Sequence, residues 1–197
     1  MCIRDSQPPM SEEIREGILR GIYLLQSSKK QDAKKVKLLG SGSILQQVLE
    51  AAILLDEQFG VAANVYSVTS FGELRKEAIN CERWNMLNPE SEPRVPHVTE
   101  CLAAIEGPVI AATDYVRAYP ELVRAWVSDQ YKVLGTDGFG RSDTRAALRD
   151  FFEVDARYIA LTALTALVEE GKLERSALTA AIDILKIDTK KPNPMED

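Results

Sequence analysis

Residues 36–68 read VKLLGSGSILQQVLEAAILLDEQFGVAANVYSV, and three patterns succeed one another along them. Val36 to Leu39 is a short apolar run that stops at Gly40, as a strand does where it meets a turn. From Ile44 to Phe59 the apolar residues at 44, 45, 48, 49, 52, 53 and 55 trace one side of a helix. Ser43 stands where an N-cap belongs and Gly60 where a left-handed glycine closes a helix. Ala63 to Val68 is strand-like again, so the stretch predicts a strand-helix-strand unit with parallel strands.

The same alternation extends outward. Upstream, Ser11 to Gly17 predicts a short capped helix in an N-terminal arm, residues 7–17. Ile18 to Leu25 predicts a strand, with a helix as its rival, and a polar run from Ser27 to Asp32 joins it to Val36. Downstream, Phe71 to Ile79 predicts a short helix, residues 108–113 a strand, Tyr119 to Val127 a helix and Tyr131 to Thr136 a strand. Ser142 to Phe152 predicts a helix capped by Ser142 or Asp143, and Ala156 to Glu170 and Arg175 to Leu185 two more, the first closed by Gly171. Residues 81–97, with Pro89, Pro93 and Pro96, break the pattern and are expected to form a long loop that meets a neighbour. The charged tail 188–197 is expected to fray. Short strands separated by helices define an α/β domain, here 18–187, with a mostly parallel sheet covered on both faces.

Composition narrows the function. The 197 residues are 45% apolar and 27% charged, as in a globular domain. A net charge of −6 argues against nucleic acid as a partner, because such surfaces gather cations to neutralise phosphates. No apolar run is long enough to span a membrane; Ile159 to Val168 is interrupted by threonines. Cys2, Cys81 and Cys101 form no paired framework, which fits free thiols and a cytoplasmic setting. The opening MCIRDS has no apolar core and is no signal peptide; residues 1–6 read as an artefactual leader.

Two glycine-rich turns follow strands and open helices, a geometry that favours anions. Gly40-Ser41-Gly42-Ser43 lacks the spacing of a phosphate loop or a dinucleotide fingerprint, so a tight turn is its simpler reading. Gly135 to Asp143, GTDGFGRSD, lies at the carboxyl end of a strand, where open α/β sheets bind ligands. Gly138, Phe139, Gly140, Arg141, Ser142 and Asp143 are therefore candidate contacts, either for an anion or for an adjoining domain whose carboxylate would meet Arg141. Arg83 and Trp84 carry the residue types that anchor interfaces, although Trp84 is equally suited to covering its own core. His97, the one histidine, reads as a loop side chain without a metal role, and no GxSxG elbow accompanies it. No catalytic, cofactor-binding or metal-binding residue is expected in these 197 residues.

Several words of the sequence, in order and spacing, resemble the final domain of the homodimeric pyruvate dehydrogenase family. They are VKLLGSGS at 36–43, VYSVTSF at 65–71, CERWNML at 81–87, PRVP at 93–96, ATDY at 112–115, VLGTDGFGRSDT at 133–144 and FEVD at 152–155. The likeness runs from about Gln7 to the C-terminus and extends more loosely to the final domain of transketolase, whose corresponding turn Phe139-Gly140-Arg141-Ser142 matches.

The resemblance implies a three-layer, five-stranded mixed sheet with its first strand antiparallel, and a hairpin between Ile18–Leu25 and Val36–Leu39. It implies a parent enzyme that decarboxylates pyruvate on thiamine diphosphate and Mg2+ and acetylates lipoyl groups of a dihydrolipoyl acetyltransferase core. In that family the cofactor is held by preceding domains through a Gly-Asp-Gly and an Asn-Asn element, neither of which occurs here; Asp137-Gly138 is followed by Phe139-Gly140 instead. The expected role is therefore a structural and dimerisation domain that packs on the preceding domains and on a homodimer partner. CERWN favours the pyruvate enzyme over one acting on another 2-oxo acid or a ketose. The alternative is a free-standing anion-binding or interaction module built on residues 135–143.

Overall fold

The structure is a computed structural model that describes residues 10–28, 30 and 33–196. Strands β1 (Ile22–Gln26), β2 (Lys35–Gly40), β3 (Ala62–Val68), β4 (Val109–Ala112) and β5 (Tyr131–Leu134) form one sheet in the order β1-β3-β2-β4-β5. β2 pairs in parallel with β3 and β4, β4 with β5, and β1 runs antiparallel to β3. The α/β class and the antiparallel first strand agree with expectation. The expected hairpin does not: β1 lies beyond β3, and β2 is central, because its other side is occupied by β4.

Period-two alternation divides the core. Val36 and Leu38 point to a face covered by α2 (Leu45–Phe59), α6 (Ala156–Glu169) and α7 (Arg175–Leu185), where they meet Val48, Leu55, Ile159 and Leu164. Leu39, Tyr66 and Val109 point to the other face, against Phe71 and Leu74 of α3 (Phe71–Leu87), Val98 of α4 (His97–Leu102) and Val123 of a 3-10 segment, Pro120–Trp126. β2 is buried from Val36 to Gly40 because strands flank it and helices cover it, which is why its sequence alternates so little. Lys37 is the exception that must be satisfied internally. Its side chain is fully buried, and its Nζ donates to Leu102 O and Ile105 O, each at 2.8 Å, and to Asp129 Oδ2 at 2.6 Å.

Several boundaries differ from the sequence reading. α1 runs Glu12–Arg20 and ends at Gly21 with φ 102, so Ile18 to Arg20 are helical and the strand starts only at Ile22. α1 is docked through Arg20, whose guanidinium lies 3.8 Å from Glu77 and 3.6 Å from Glu100. Ser11 occupies the N-cap position of α1 but makes no side-chain cap bond. α3 continues through 81–87, which were expected in a loop, because Ser70 caps its start and no breaker arrives before Asn88 and Pro89. His97 opens α4 rather than sitting in a loop, and residues 120–126 form a 3-10 helix, not an α-helix. Ser43 is no N-cap either. It belongs to a 3-10 turn, Gly42–Ile44, that leads into α2, whereas Gly60 does close α2 in the left-handed conformation.

The next helix, α5 (Arg145–Phe151), is capped by Thr144, whose Oγ1 accepts from Ala147 N, and not by Ser142 or Asp143. α6 starts at Asp155, whose carboxylate accepts from Arg157 N and Tyr158 N. The described tail, 188–196, forms no helix or strand but touches the domain at two places. Pro194 is buried, and Lys191 Nζ donates to Asp150 O.

Candidate functional site

From β2 the chain moves through α2 to β3 on one side, and then crosses to β4 on the other. The carboxyl ends of β2 and β4 thus flank a topological switch point, where diverging loops leave a crevice. Gly40 ends β2 because a Cβ there would stand 2.9 Å from Leu45 Cα, too close for any side chain. The turns that follow are laced together: Ser41 Oγ donates to Thr113 Oγ1 at 2.9 Å, Ser43 Oγ to Asp114 Oδ2 at 2.8 Å, and Thr136 Oγ1 to Asp114 O at 3.2 Å. Arg149 of α5 reaches across and donates from Nη2 to Ser43 O at 3.1 Å.

Between α5 and these turns lies a cleft of about 590 Å³. Arg141, Arg145 and Arg149, Asp114 and Thr136, and Leu148 and Phe152 are among its lining residues, and Ser43 bonds both Arg149 and Asp114. Arg141 stacks on the Phe151 ring at 4.1 Å, and Asp143 Oδ1 accepts from Thr144 N at 2.6 Å. No His or Cys is among the residues that line this cleft, which offers guanidinium, hydroxyl and carboxylate groups. Two further clefts, one beside Gln47, Glu50 and Asp155 and one beside Gln26, Lys30 and Asp56, lie along α2, away from the carboxyl ends of β2 and β4.

The sequence-derived candidates fall into two groups. Gly138 has φ 109, and a Cβ on it would meet Pro194 O at 2.5 Å, so the loop and the tail approach backbone to backbone. Phe139 is 83% exposed; Gly140 and Ser142 are exposed beside it. Arg83 and Trp84 lie elsewhere, near the end of α3 on the opposite face of the sheet, and are not brought together with residues 138–143. Trp84 is half-buried, with the Arg94 guanidinium 4.0 Å above its ring, and Asn85 and Arg94 exchange hydrogen bonds that fold the proline-rich loop back on α3.

Asp137 is engaged by Arg117. Its Oδ1 accepts from Arg117 N at 2.9 Å, and its Oδ2 lies 3.7 Å from Arg117 Nε. Among the described residues no group of three or more His, Cys, Asp or Glu is placed to hold a metal ion.

Four features escaped the sequence reading. The Ser43–Asp114 bond and the reach of Arg149 to Ser43 join residues 71 and 106 positions apart, and no local pattern announces them. The Lys37–Asp129 pair shows only as a lone lysine in an apolar strand. His97 is buried, with Nε2 3.2 Å from Ile22 O and 3.5 Å from Cys101 Sγ; the four-residue spacing of His97 and Cys101 was the available signal. Burial pushes the thiols of Cys81 and Cys101 up from their ordinary range, which makes both poor nucleophiles.

Comparison with known proteins agrees with this geometry. Residues 21–155 match the family described as transketolase-like TK C-terminal domain. The chain is 51% identical over 191 residues to the pyruvate dehydrogenase E1 component of Pseudomonas aeruginosa, covering 96% of this chain and 22% of that protein. It is 48% identical to the corresponding component of Escherichia coli K12, covering 95% of this chain and 21% of that one. This chain therefore spans about a fifth of the length of these relatives. Among solved structures, transketolase from Campylobacter jejuni superposes with a TM-score of 0.52 at 25% identity, covering 81% of this chain and 20% of that one. A split-gene transketolase, described as an inactive β4 tetramer, gives 0.52 at 18% identity, covering 82% and 46%. No helix among the described residues is long and apolar enough to cross a membrane. A mixed sheet with this strand order, helices on both faces and a family match over most of its length leave one assignment: the chain belongs to the transketolase-like C-terminal domain family.

Proposed function

We propose that this domain is the C-terminal structural and dimerisation domain of a pyruvate dehydrogenase, in the cytoplasm. The parent chain decarboxylates pyruvate on thiamine diphosphate with Mg2+, and acetylates lipoyl groups of a dihydrolipoyl acetyltransferase core. The observation that carries the reading is the 51% identity, over nearly the whole of this chain, to a protein named pyruvate dehydrogenase E1 component. In this reading the diphosphate, the metal and the proton-transfer groups belong to parts of the parent outside these residues.

The surface supports a packing role. Tyr115 is 62% exposed, and its ring packs edge-on to Tyr119 at 5.8 Å, which in turn packs on Phe71 at 5.8 Å. Thr136 N donates to Tyr115 O, so this aromatic group is fixed to the turn that begins the 135–143 loop, which also presents Phe139. Contiguous aromatic exposure held by hydrogen-bonded backbone is the kind of surface that another domain buries. Arg83 and Trp84, at the opposite end, offer a second contact.

Assay of the 197-residue chain for thiamine-dependent pyruvate turnover tests the reading. The expected result is no turnover above a blank without protein. Turnover that requires thiamine diphosphate would place the reacting centre inside these residues and overturn the proposal.

A further inference from the structure

We propose that residues 188–196 are a strap whose two anchors, Lys191 and Pro194, act as one, and that its docking holds loop 135–143 in the form that presents Phe139. Such a strap regulates the surface assigned above to another domain; it rests on that reading for its purpose and not for its mechanics.

The first anchor lies at the corner between α5 and α6. The Lys191 side chain is only 12% exposed, so water competes little for its ammonium. Its Nζ donates to Asp150 O in the last turn of α5, where helix carbonyls run out of partners and the helix dipole is negative. The same Nζ lies 3.7 Å from Asp150 Oδ2, 3.5 Å from Tyr158 Oη and 4.9 Å from the Tyr158 ring, in the first turn of α6. One cation thus ties the tail to two helices. At the second anchor Pro194 is buried, and its carbonyl meets Gly138 backbone to backbone, with no room for a Cβ.

The chain between the anchors is stiff. It reads Lys191-Pro192-Asn193-Pro194, and each proline fixes its own φ and restricts the residue before it, so all four residues are confined. Asn193 closes the far end: its Oδ1 accepts from Met195 N at 3.1 Å and its O from Glu196 N at 2.9 Å. A segment this short and this restricted has few torsions with which to leave one anchor and keep the other.

The loop depends on the strap. Among the described residues no backbone amide from Asp137 to Asp143 donates to a backbone carbonyl, so no main-chain bond from these amides ties the loop to the domain. Asp137 is held by Arg117, Gly138 rests on Pro194, and Arg141 stacks on Phe151. Phe151 belongs to the turn of α5 that Lys191 fastens. Phe139 therefore stands between two contacts that both lead back to the strap, one direct and one through α5.

Amide NMR of the isotopically labelled chain tests the coupling, with a chain lacking residues 188–197 supplying the shifts of the released state. Lys191→Met keeps the length of the stem without the charge, and it is expected to raise the ratio of released to docked strap about tenfold. The amides of Gly138, Phe139 and Gly140 should then move along the line toward their positions in the shortened chain. Gly138→Ala loosens the other anchor, and the amides of Asp150 and Tyr158 should move toward the shortened chain in the same way, since coupling between two sites is reciprocal. Lys190→Met, at an exposed lysine whose side chain makes no described contact, should move neither set, and the β2 amides should hold their positions in every variant. Loop amides that stay in place in Lys191→Met, or Asp150 and Tyr158 amides that stay in place in Gly138→Ala, would show two independent contacts and overturn the strap. Loop shifts identical in the shortened and the intact chain would overturn it as well. Every readout is taken on this chain alone, so the coupling stands or falls whether or not another domain packs on Phe139.

Discussion

At the scale of single residues, the fold depends most on the groups that burial makes costly. Lys37 sits in the central strand with three acceptors around its ammonium, two of them backbone carbonyls that would lose their partner if it were removed. Lys37→Met fits the same space without a donor, and it should cost about 3 kcal/mol in urea unfolding, as breaking a buried pair does. Asp129→Asn should cost less, because that side chain is 31% exposed and water can take over part of its role. Tyrosines give a pH dependence. Burial pushes Tyr158 up to about 12 and raises Tyr131 further, against an ordinary value near 10. Both hydroxyls thus stay protonated in the folded chain at pH values where the unfolded chain ionises. Their contribution is complete below pH 10 and is lost as pH rises through the folded values, so stability should fall from about pH 10 upward. Tyr131→Phe removes the more buried of the two and should flatten that alkaline decline in urea midpoints measured against pH; an unchanged slope would count against burial as its cause.

At the scale of elements, local patterns succeed where local physics decides and fail where a distant residue does. The stripe from Ile44 to Phe59 and the glycine after it are facts of one turn of chain, and α2 forms there, closed by Gly60. The cap expected at Ser43 is lost because its hydroxyl donates to Asp114, 71 residues away, while its backbone joins a 3-10 turn. The supposed hairpin fails for a related reason: strand patterns show that β1 and β2 exist but not that β3 lies between them. The contrast between caps can be measured. Asp155 accepts from two helix amides and also binds Arg157, so Asp155→Ala should cost about 1–2 kcal/mol. Ser11 makes no side-chain cap bond, and Ser11→Ala should stay within about 0.5 kcal/mol. Gly138→Ala combines a left-handed φ with a Cβ at 2.5 Å from Pro194 O, so the alanine must displace the tail. Faster proteolysis between Asp188 and Met195 in that variant, with the sheet's protection unchanged, is the expected signature.

At the scale of the whole molecule, the sheet has a middle and two edges, and sequence alone could not say which strands were which. Candidate loop 135–143 was legible as a glycine-rich turn after a strand, whereas the arginines that line the cleft with it reach it because α5 lies against the turn after β2, a contact that no motif in the chain encodes. The same arrangement sets how the molecule opens. Lys37 to Gly40 of β2 have partners on both sides, in β3 and β4, so exposing their amides requires separating the sheet through its centre and uncovering both cores. β5 pairs only with β4, over four residues, and β1 pairs only with β3, with an irregularity between Leu24 and Gln26 that weakens its ladder. Local opening follows the number of interactions that must be lost, so edge elements should open without the centre. Native-state amide exchange should accordingly rank β2 slowest, with β3 and β4 next and β1 and β5 faster. In rising urea below the transition, the β2 amides should converge on the free energy of global unfolding while the β1 amides remain below it. If β1 or β5 amides instead exchanged as slowly as Leu38 and Leu39, the strand order itself would be in error, since no edge strand held on one side alone can outlast the strand at the centre.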